Sequence, residues 1–362
     1  MTKTSRYEQS GVSTDGADSA LDALKGHILA THGFNYRQPV TLGLGYFANV
    51  IDIGGGQGLA FCTDGVGTKV RVAELTGKYD TLGIDCVAMN VNDLICVGAR
   101  PVSLVDYIAC AKTDAAVFAA LGKGLAEGAR QARIHISGGE ISQVPEIVNG
   151  IDLIGSAVGL VPLEAVNTGR DVKPGQVLVG LDSTGVHANG LTLARRVLLG
   201  ECPLEQKEKA ARFEEGLGRT LGGELLAPTR IYVQAVLAVQ EVGLKVRAMV
   251  NITGGGVCNL NRVAAEGVRF VIDTPPEPQP VFRLIQERGG VSDAEMYEVF
   301  NMGIGFVLVM DDVKAAATAL TVCAKFNVPG RIIGRVETGD ARSVTLPQIG
   351  LTAFGSEIQS AS

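Results

Sequence analysis

The segment TDGVGTK, at residues 63–69, carries a carboxylate, two glycines, a hydroxyl and a lysine in close succession. Glycines let backbone N–H groups approach an anion, and a lysine adds positive charge, so the composition is typical of a phosphate-binding turn. The spacing differs from the P-loop, which needs G-x-x-x-x-G-K-S/T, and from the dinucleotide fingerprint, because no third glycine follows at Val70. The segment therefore indicates a phosphate grip of another kind, in which Asp64 has a place.

A helix that bears carboxylates is predicted shortly after this turn. Residues 84–98 place apolar side chains at helical spacing. Asp85 and Asn92 are seven residues apart, which puts them about 20° apart around the helix axis and about 10 Å apart along it, with Asp93 turned further round. Together with Asp64, these oxygen ligands are typical of a Mg²⁺ ion on a polyphosphate. The alternative is structural: Asp85 caps the helix, and Asn92 and Asp93 lie on a solvated face.

Three further glycine-rich junctions follow along the chain: SGGE (137–140), STGVHANG (183–190) and NITGGGVCN (251–259). At SGGE a strand is expected to end in a glycine turn whose N–H groups face an anion, although a plain turn has the same pattern. STGVHANG combines polar side chains with helix N-terminal amides, which predicts a phosphate site or a helix cap. His187 lies in this polar turn, where a core histidine is not expected. The junctions together predict two bound anions, a metal nucleotide and a phosphorylated substrate.

The bulk composition indicates a large core and no nucleic-acid surface. The chain has 362 residues, 46% hydrophobic and 19% charged, which favours two domains and excludes extensive disorder. Aromatic residues make up 5% and the net charge is −6, so a basic, base-stacking platform is not expected. The seven scattered cysteines, the polar first residues and the lack of a long apolar run predict a cytoplasmic protein with free thiols that does not bind a membrane.

Alternating strand and helix patterns predict an α/β or α+β chain with two domains. Residues 1–50 are expected to form a mostly irregular arm with a glycine-rich loop and one short helix near residues 19–30. The first domain covers residues 51–168, and the second, residues 169–362, begins with a stretch that contains glycine, proline and charged residues. A helix is predicted over residues 227–242, with Pro228 near its first turn, and a final strand pair ends the chain.

In their order along the chain, these stretches resemble the phosphoribosylformylglycinamidine cyclo-ligase (aminoimidazole ribonucleotide synthetase) family. The motifs that carry the resemblance are GLGYFA (43–48), TDGVGTK (63–69), DTLGIDCVAMNVNDL (80–94), SGGE (137–140), STGVHANG (183–190), LLAPTRIYV (225–233), ITGGG (252–256) and EMYEVFNMGIG (295–305). The resemblance implies an N-terminal domain that forms a dimeric β-barrel, a C-terminal α/β domain, and a nucleotide in the cleft between them. It also implies an ATP-dependent ring closure in purine biosynthesis, in which the formyl oxygen is phosphorylated to an iminophosphate before a nitrogen displaces phosphate.

The resemblance further implies a role for each matching residue, with ATP and Mg²⁺ as cofactors and a homodimer as the assembly. The catalytic residues would be His187, as a proton-transfer group, and Lys25, which would also contact the nucleotide phosphates. The implied metal-binding residues are Asp64, Asp85 and Asp93. The implied nucleotide- and phosphate-binding residues are Asp64, Gly65, Gly67, Thr68, Lys69, Asn92, Gly138, Gly139 and Glu140. The implied substrate-binding residues are Ser183, Asn189, Gly254, Gly255 and Asn301.

Three positions depart from the family pattern. Gln143 stands where a second glutamate is expected, Glu146 replaces a glycine, and Asn251 precedes ITGGG where histidine is common. These departures leave two alternatives to the cyclo-ligase open. One is another ATP-using enzyme of the same superfamily that acts on a related amide. The other is a catalytically silent nucleotide-binding paralogue.

Overall fold

The computed structural model describes residues 6–10 and 14–360. Their strands form an open six-stranded sheet near the N-terminus, an open eight-stranded sheet near the C-terminus, and a small hairpin of β8 (Phe213–Glu214) and β9 (Arg219–Thr220). The expected mixture of helices and strands in two units is therefore present. The β-barrel that the resemblance implies is not formed within one chain, because the two edge strands of the first sheet do not pair with each other.

The first sheet has the order β1-β2-β3-β6-β4-β5, and only β4 and β5 run parallel. Its strands are β1 (Val40–Leu42), β2 (Asn49–Gly54), β3 (Gln57–Gly65), β4 (Arg100–Cys110), β5 (His135–Gln143) and β6 (Ile151–Pro162). Helices α3 (Lys69–Thr76), α4 (Leu82–Cys96) and α5 (Ala115–Ala132) accompany this sheet, and α4 packs against β3, β4 and β6. The predicted helix over 84–98 is confirmed, two residues earlier in the chain.

Helix α4 is buried on nearly every side, because it lies between the sheet, α5 and elements of the second unit. Its contact with α5 is close: a Cβ at Gly83 would lie 2.1 Å from the backbone nitrogen of Leu125. Asp85 and Asn92 are fully buried in this helix. The alternative that Asn92 lies on a solvated face is therefore wrong.

Among residues 6–10 and 14–360, no helix covers the opposite face of the first sheet. Phe61, Val105, Tyr107 and Leu160 lie on three adjacent strands and expose 37–43% of their surface. Alternation of buried and exposed residues along β3 and β6 is typical of a sheet with one packed face. An apolar face of this kind is typical of an interface.

The second sheet has the order β10-β12-β7-β13-β11-β14-β15-β16. Its strands are β7 (Val177–Asp182), β10 (Val246–Asn251), β11 (Val268–Val271), β12 (Ile304–Met310), β13 (Gly330–Thr338), β14 (Ser343–Leu346), β15 (Leu351–Phe354) and β16 (Glu357–Ser360). The accompanying helices are α6 (Leu191–Leu199), α7 (Pro203–Ala211), α8 (Leu221–Leu225), α9 (Val233–Glu241), α10 (Pro280–Gly289), α11 (Asp293–Val299) and α12 (Val313–Ala324). The chain ends in four strands, from β13 to β16, instead of the predicted pair.

The N-terminal segment is more regular than the irregular arm that was predicted. It contains α1 (Arg6–Gln9), α2 (Thr14–Ala30) and the strands β1 and β2. The segment lacks strong strand alternation, but β2 pairs with β3 across the tight turn at Gly54–Gly56, where all three glycines have positive φ. None of the helices within residues 6–10 and 14–360 is long and apolar enough to cross a membrane.

The helix predicted over 227–242 begins only at Val233. Residues 227–232 are irregular, and all but Pro228 and Arg230 are buried, because side chains of other elements take up their backbone hydrogen-bonding groups. Pro228 therefore lies before the helix and not in its first turn. We call residues 226–232 the strap.

Candidate active site

The segment TDGVGTK forms the turn between β3 and α3, which we call the nucleotide-side turn (residues 63–69). Gly67 has a φ of +63°, and Val66 donates its N–H to the Leu153 carbonyl. Asp64 caps its own turn, since its Oδ1 accepts the Gly65 N–H at 2.7 Å. The turn therefore needs glycine at position 67 and a short acceptor at position 64.

Asn90 of α4 holds this turn from below, a role that the sequence did not reveal. Its amide donates to the Asp64 carbonyl at 3.2 Å and to the Cys86 carbonyl at 2.9 Å. Gly155 on β6 makes room for it, because a Cβ there would lie 2.6 Å from Asn90 Nδ2. The position of Asp64 thus depends on a glycine in a neighbouring strand.

Asp64 and Asp93 are the two predicted metal-binding carboxylates that the structure brings together. Burial and, to a smaller extent, the charge of Asp64 raise the pKa of Asp93 to about 7, against the opposing effects of the Asn251 hydrogen bond and of Arg262. Burial also raises the pKa of Asp64, against the Gly65 hydrogen bond and Arg262. Two half-buried carboxylates with raised pKa values form a site that gains from a bound cation.

The second unit contributes two groups to this pair. Asn251, at the end of β10, donates from Nδ2 to Asp93 Oδ1 at 2.8 Å. Arg262 ends the short 3₁₀ helix Gly256–Arg262 and stacks over Phe47, with 5.0 Å from its guanidinium carbon to the ring centroid. Its guanidinium is exposed and forms no ion pair or hydrogen bond with the residues that the structure describes. In the sequence, the only signal for the Arg262 guanidinium is its position six residues after the TGGG junction.

Asp85 does not join the carboxylate pair. Its Oδ1 accepts from Lys69 Nζ at 2.9 Å, from the Thr229 N–H at 2.7 Å and from the Thr229 hydroxyl at 2.6 Å. Lys69 is fully buried and also donates to the Ala227 carbonyl at 2.6 Å. No group of three His, Cys, Asp or Glu side chains within residues 6–10 and 14–360 is placed to hold a metal ion. The expectation that three carboxylates face the glycine-rich turn is therefore corrected to two.

The side chains of Lys69 and Asn92 likewise point away from the nucleotide-side turn and toward residues 227–232. Burial lowers the pKa of Lys69, and the neighbouring Asp85 opposes that shift. Asn92 donates to the Arg230 carbonyl at 2.9 Å and accepts the Tyr232 N–H at 3.0 Å. Asp85 and Asn92 thus share one face of α4, as their spacing predicts, but this face contacts the strap.

The segment STGVHANG follows β7, and we call residues 183–189 the substrate-side turn. His187 is 4% exposed and has a φ of +64°. Its Nε2 accepts the Thr184 N–H at 3.1 Å, and burial together with the charges of Lys69 and Arg230 lowers its pKa to about 3. The expectation that this turn excludes a core histidine is wrong, because the imidazole satisfies a backbone group of the turn itself.

Two other predicted substrate contacts also serve the fold of this turn. Asn301 is buried and donates to the carbonyls of Gly185 and Val186 at 2.9 and 3.2 Å. Ser183 is buried and accepts from Gln279 Nε2, both at its carbonyl and at its hydroxyl. Both residues therefore shape the substrate-side turn from within.

Asn189 and Gly254 lie together at the junction of the two units. A Cβ at Gly254 would lie 3.4 Å from Asn189 Oδ1, and Gly255 next to it has a φ of +97°. Asn189 Nδ2 lies 3.9 Å from the sulfur of Met89, which is one helical turn before Asp93 on α4. Asn189 and Gly254 therefore lie beside α4, the helix that carries Asp93.

The starts of α3 and α6 also meet at this junction. Thr68 Oγ1 and Thr192 Oγ1 are 2.8 Å apart, and Thr68 is exposed. The hydrogen bond connects the nucleotide-side turn to the second unit. A pocket of about 460 Å³ lies elsewhere, between residues 163–171 and the start of β10, so the site is defined by its polar groups and not by that cavity.

The SGGE segment and Lys25 lie outside this group of residues. Gly138, Gly139 and Glu140 lie within β5, which continues to Gln143, so the predicted glycine turn is wrong. Asp64, Gly155, Asp106 and Gly139 are paired in register across the sheet, which puts Gly139 about three strand spacings, or about 14 Å, from Asp64. Lys25 is exposed on α2. Direct roles for these residues stay predictions.

Comparison with known proteins shows which family this chain resembles over most of its length. The pattern described as AIR synthase related protein, N-terminal domain, matches residues 45–161, and the corresponding C-terminal domain matches residues 173–347. Phosphoribosylformylglycinamidine cyclo-ligase of Methanocaldococcus jannaschii is 42% identical over 331 residues, which cover 91% of each chain. The protein of the same name from Thermococcus kodakarensis is 47% identical over 309 residues, which cover 84% of this chain and 87% of that one.

Solved structures share the fold. The crystal structure of tt0281 from Thermus thermophilus aligns with a TM-score of 0.59 at 19% identity, over 88% of this chain and 95% of that chain. T. maritima PurL complexed with ATP aligns with a TM-score of 0.56 at 16% identity, over 90% of this chain and 47% of that chain. These similarities concern the architecture of two units with a junction between them.

Proposed function

We propose a function on the premise that the chain belongs to the AIR synthase related family. The protein is a phosphoribosylformylglycinamidine cyclo-ligase, a ligase of purine biosynthesis that uses ATP to close the imidazole ring of aminoimidazole ribonucleotide. Relatives with this name are 42% and 47% identical over most of the chain. In the reaction, the formyl oxygen of formylglycinamidine ribonucleotide takes the γ-phosphoryl group of ATP, ADP leaves, and a nitrogen of the same molecule then attacks that carbon and displaces phosphate.

The observation that carries the assignment of the site is the Asp64–Asp93 pair facing Arg262 across the junction. A Mg²⁺ ion held by Asp64 and Asp93 would neutralise charge on the ATP phosphates, as one or two carboxylates plus phosphate oxygens commonly do. The pair fits such an ion, because the pKa of each carboxyl is raised and neither forms an ion pair with a described lysine or arginine. Asn251 orients Asp93 by its 2.8 Å hydrogen bond.

Arg262 supplies the positive charge on the other side of the phosphates in this proposal. Phe47 holds the guanidinium by stacking, so its donors remain available for phosphate oxygens. Asn189 and Gly254 would contact the substrate at the same junction, where Gly254 allows close approach of a ligand to the backbone. Asn251 is one of the departures from the family pattern that leave a silent paralogue open. Its hydrogen bond to Asp93 gives this residue a role in the proposed metal site and so weakens that alternative.

The test is ATP turnover that depends on formylglycinamidine ribonucleotide, measured in a coupled assay across a Mg²⁺ titration. Asp93→Ala should abolish Mg²⁺-dependent turnover while the protein stays folded, and the matched control Asp293→Asn, which removes a carboxylate from the start of α11, should retain it. Wild-type protein without substrate-dependent turnover would refute the function. Full turnover in Asp93→Ala would refute the metal site alone.

A homodimer and a cytoplasmic location complete the proposal. The uncovered face with Phe61, Val105, Tyr107 and Leu160 supports a dimer in which two such sheets pack face to face. All seven cysteines are free thiols, which supports a reducing compartment. Tyr107→Glu should give a monomer in sedimentation velocity, whereas Leu204→Glu, at an exposed leucine of α7, should leave the dimer intact. A monomeric wild type at micromolar concentration would contradict the dimer.

A further inference from the structure

The strap is a buried segment without strand partners. Ala227, Thr229, Ile231 and Tyr232 are each at most 9% exposed, yet residues 227–232 belong to no helix or strand. Buried backbone groups need hydrogen-bond partners, and in most proteins secondary structure supplies them. In the strap, polar side chains from both units supply them instead.

Helices α3 and α4 of the first unit hold one side of the strap. Lys69 Nζ donates to the Ala227 carbonyl at 2.6 Å, and Asp85 Oδ1 accepts both the N–H and the hydroxyl of Thr229. Lys69 and Asp85 also bind each other at 2.9 Å with no exposed surface. Asn92 adds two bonds, to the Arg230 carbonyl and from the Tyr232 N–H.

The substrate-side turn holds the other side. The Thr184 hydroxyl donates to the Pro228 carbonyl at 2.5 Å, and His187 Nε2 lies 3.5 Å from the Arg230 N–H. The Tyr232 hydroxyl donates to the Asp182 carbonyl at 3.1 Å, at the end of β7. A Cβ at Gly305 would lie 2.7 Å from the His187 ring and 1.9 Å from the Tyr232 hydroxyl, so only glycine fits beside these two side chains.

We propose that the strap fixes the separation between the nucleotide-side turn and the substrate-side turn, and that Lys69 and His187 are positioning residues that act through it. Lys69 is the last residue of the nucleotide-side turn and the first residue of α3, and its ammonium group is committed to Asp85 and Ala227. His187 is committed to Thr184 and Arg230. Neither side chain touches a phosphate or transfers a proton.

The consequence for the reaction rests on the proposed function. Phosphoryl transfer from ATP to a second bound molecule requires the two ligands to lie within near-attack distance, and an error of about 1 Å can cost about 100-fold in rate. In the proposed site, Asp64 and Asp93 of the first unit hold one side of the nucleotide phosphates, and Asn189 and Gly254 of the second unit contact the substrate. Loosening the strap should therefore lower kcat while each ligand still binds.

Thr229 gives the mildest test, because its buried side chain contacts Asp85 and it is not among the residues proposed to contact a ligand. Thr229→Val removes the hydroxyl donor and keeps the backbone N–H, so kcat should fall about tenfold with the KM for ATP within about twofold. Thr229→Ser restores the donor and should return kcat to within about twofold of wild type. The matched control is Thr76→Val, which removes a hydroxyl whose partners, the carbonyls of Val72 and Ala73 and the N–H of Lys78, all lie at the end of α3, and kcat should be unchanged.

Lys69→Met separates positioning from phosphate contact. We expect kcat to fall about 100-fold, while the Kd of a non-hydrolysable ATP analogue stays within about threefold of wild type. A tenfold weaker Kd with kcat unchanged at saturating ATP would show that Lys69 contacts phosphate and would overturn the proposal. Unchanged kcat in Thr229→Val would overturn it as well.

Hydrogen exchange tests the strap without any activity. The amides of Thr229 and Tyr232 should be protected in wild-type protein as strongly as core amides, and their exchange should accelerate in Lys69→Met and Thr229→Val but not in Thr76→Val. Rapid exchange at both amides in wild type would overturn the proposal. Failure of the proposed function would instead appear as wild-type protein that lacks substrate-dependent ATP turnover but retains this protection.

Discussion

Replacing Asp93 by asparagine should stabilise the metal-free protein at alkaline pH. The pKa of Asp93 is about 7 in the folded protein, against an ordinary value of 3.8, mainly because the carboxyl is buried and then because Asp64 is near. The folded state thus holds this proton more tightly than the unfolded state. The contribution of Asp93 to the stability of the fold is therefore most favourable below about pH 4 and decreases as the pH rises toward 7.

The magnitude follows from the two pKa values. A difference of about three units corresponds to about 4 kcal/mol at 1.36 kcal/mol per unit. Because the side chain keeps some contact with solvent, about half of this, about 2 kcal/mol, is a better expectation. Asparagine keeps an oxygen that can accept from Asn251 and removes the charge. Asp93→Asn should then exceed wild type by about 2 kcal/mol at about pH 8 and equal it near pH 4.

Thermal unfolding in EDTA at both pH values measures this difference. We expect a gain of about 4 °C for Asp93→Asn at about pH 8, at about 2 °C per kcal/mol for a chain of this size. Mg²⁺ with an ATP analogue should raise the Tm of wild type more than that of the variant, because only wild type retains both carboxylates. An Asp93→Asn protein that is less stable than metal-free wild type at about pH 8 would refute the reasoning.

Three further outcomes follow from contacts at the junction. Arg262→Gln should lower kcat/KM about 100-fold or more in the coupled assay, because the proposed contact of the stacked guanidinium with the phosphates is lost, and an unchanged value would exclude that role. Gly155→Ala should cost about 1–3 kcal/mol in urea denaturation, because its Cβ would lie 2.6 Å from Asn90 Nδ2 and 3.0 Å from Cys86 Sγ. His187 has a pKa of about 3 in the folded protein and 6.5 otherwise, so its contribution to stability should be complete above about pH 6.5 and should decrease toward pH 3. His187→Gln should flatten this dependence of stability on pH, and a variant with the wild-type dependence would contradict the assignment.

Elements with strong local signals were predictable from the sequence. Helix α5 occupies Ala115–Ala132, directly after Asp114, which caps it by accepting the N–H groups of Ala116 and Val117. The apolar runs at residues 57–63 and 151–161 likewise lie in strands, β3 and β6. In each case, periodicity and capping act within the element itself.

Elements that depend on distant partners were not predictable. The helix expected from residue 227 starts at Val233, because Asp85 and Asn92 compete for the backbone groups of the strap from another part of the chain. SGGE stays in β5 because Gly139 lets that strand approach Asp106, where a Cβ would come within 2.6 Å of a carboxylate oxygen. A glycine pair has the same appearance in sequence whether it turns the chain or permits close pairing.

The dependence on distant partners also explains which of the predicted site residues remain candidates for contact with the proposed ligands. Polar side chains near glycine-rich turns were interpreted as ligand contacts, but such turns at a buried junction have backbone groups of their own to satisfy. Lys69, Asp85, Asn92, His187 and Asn301 satisfy those groups. Asp64 and Asp93 remain because burial raises their pKa values, and Arg262 joins them because its charge is held by Phe47 but unpaired among the described residues. Burial and partner geometry, which the sequence does not display, therefore separate the residues that build the junction from those that are free to act in it.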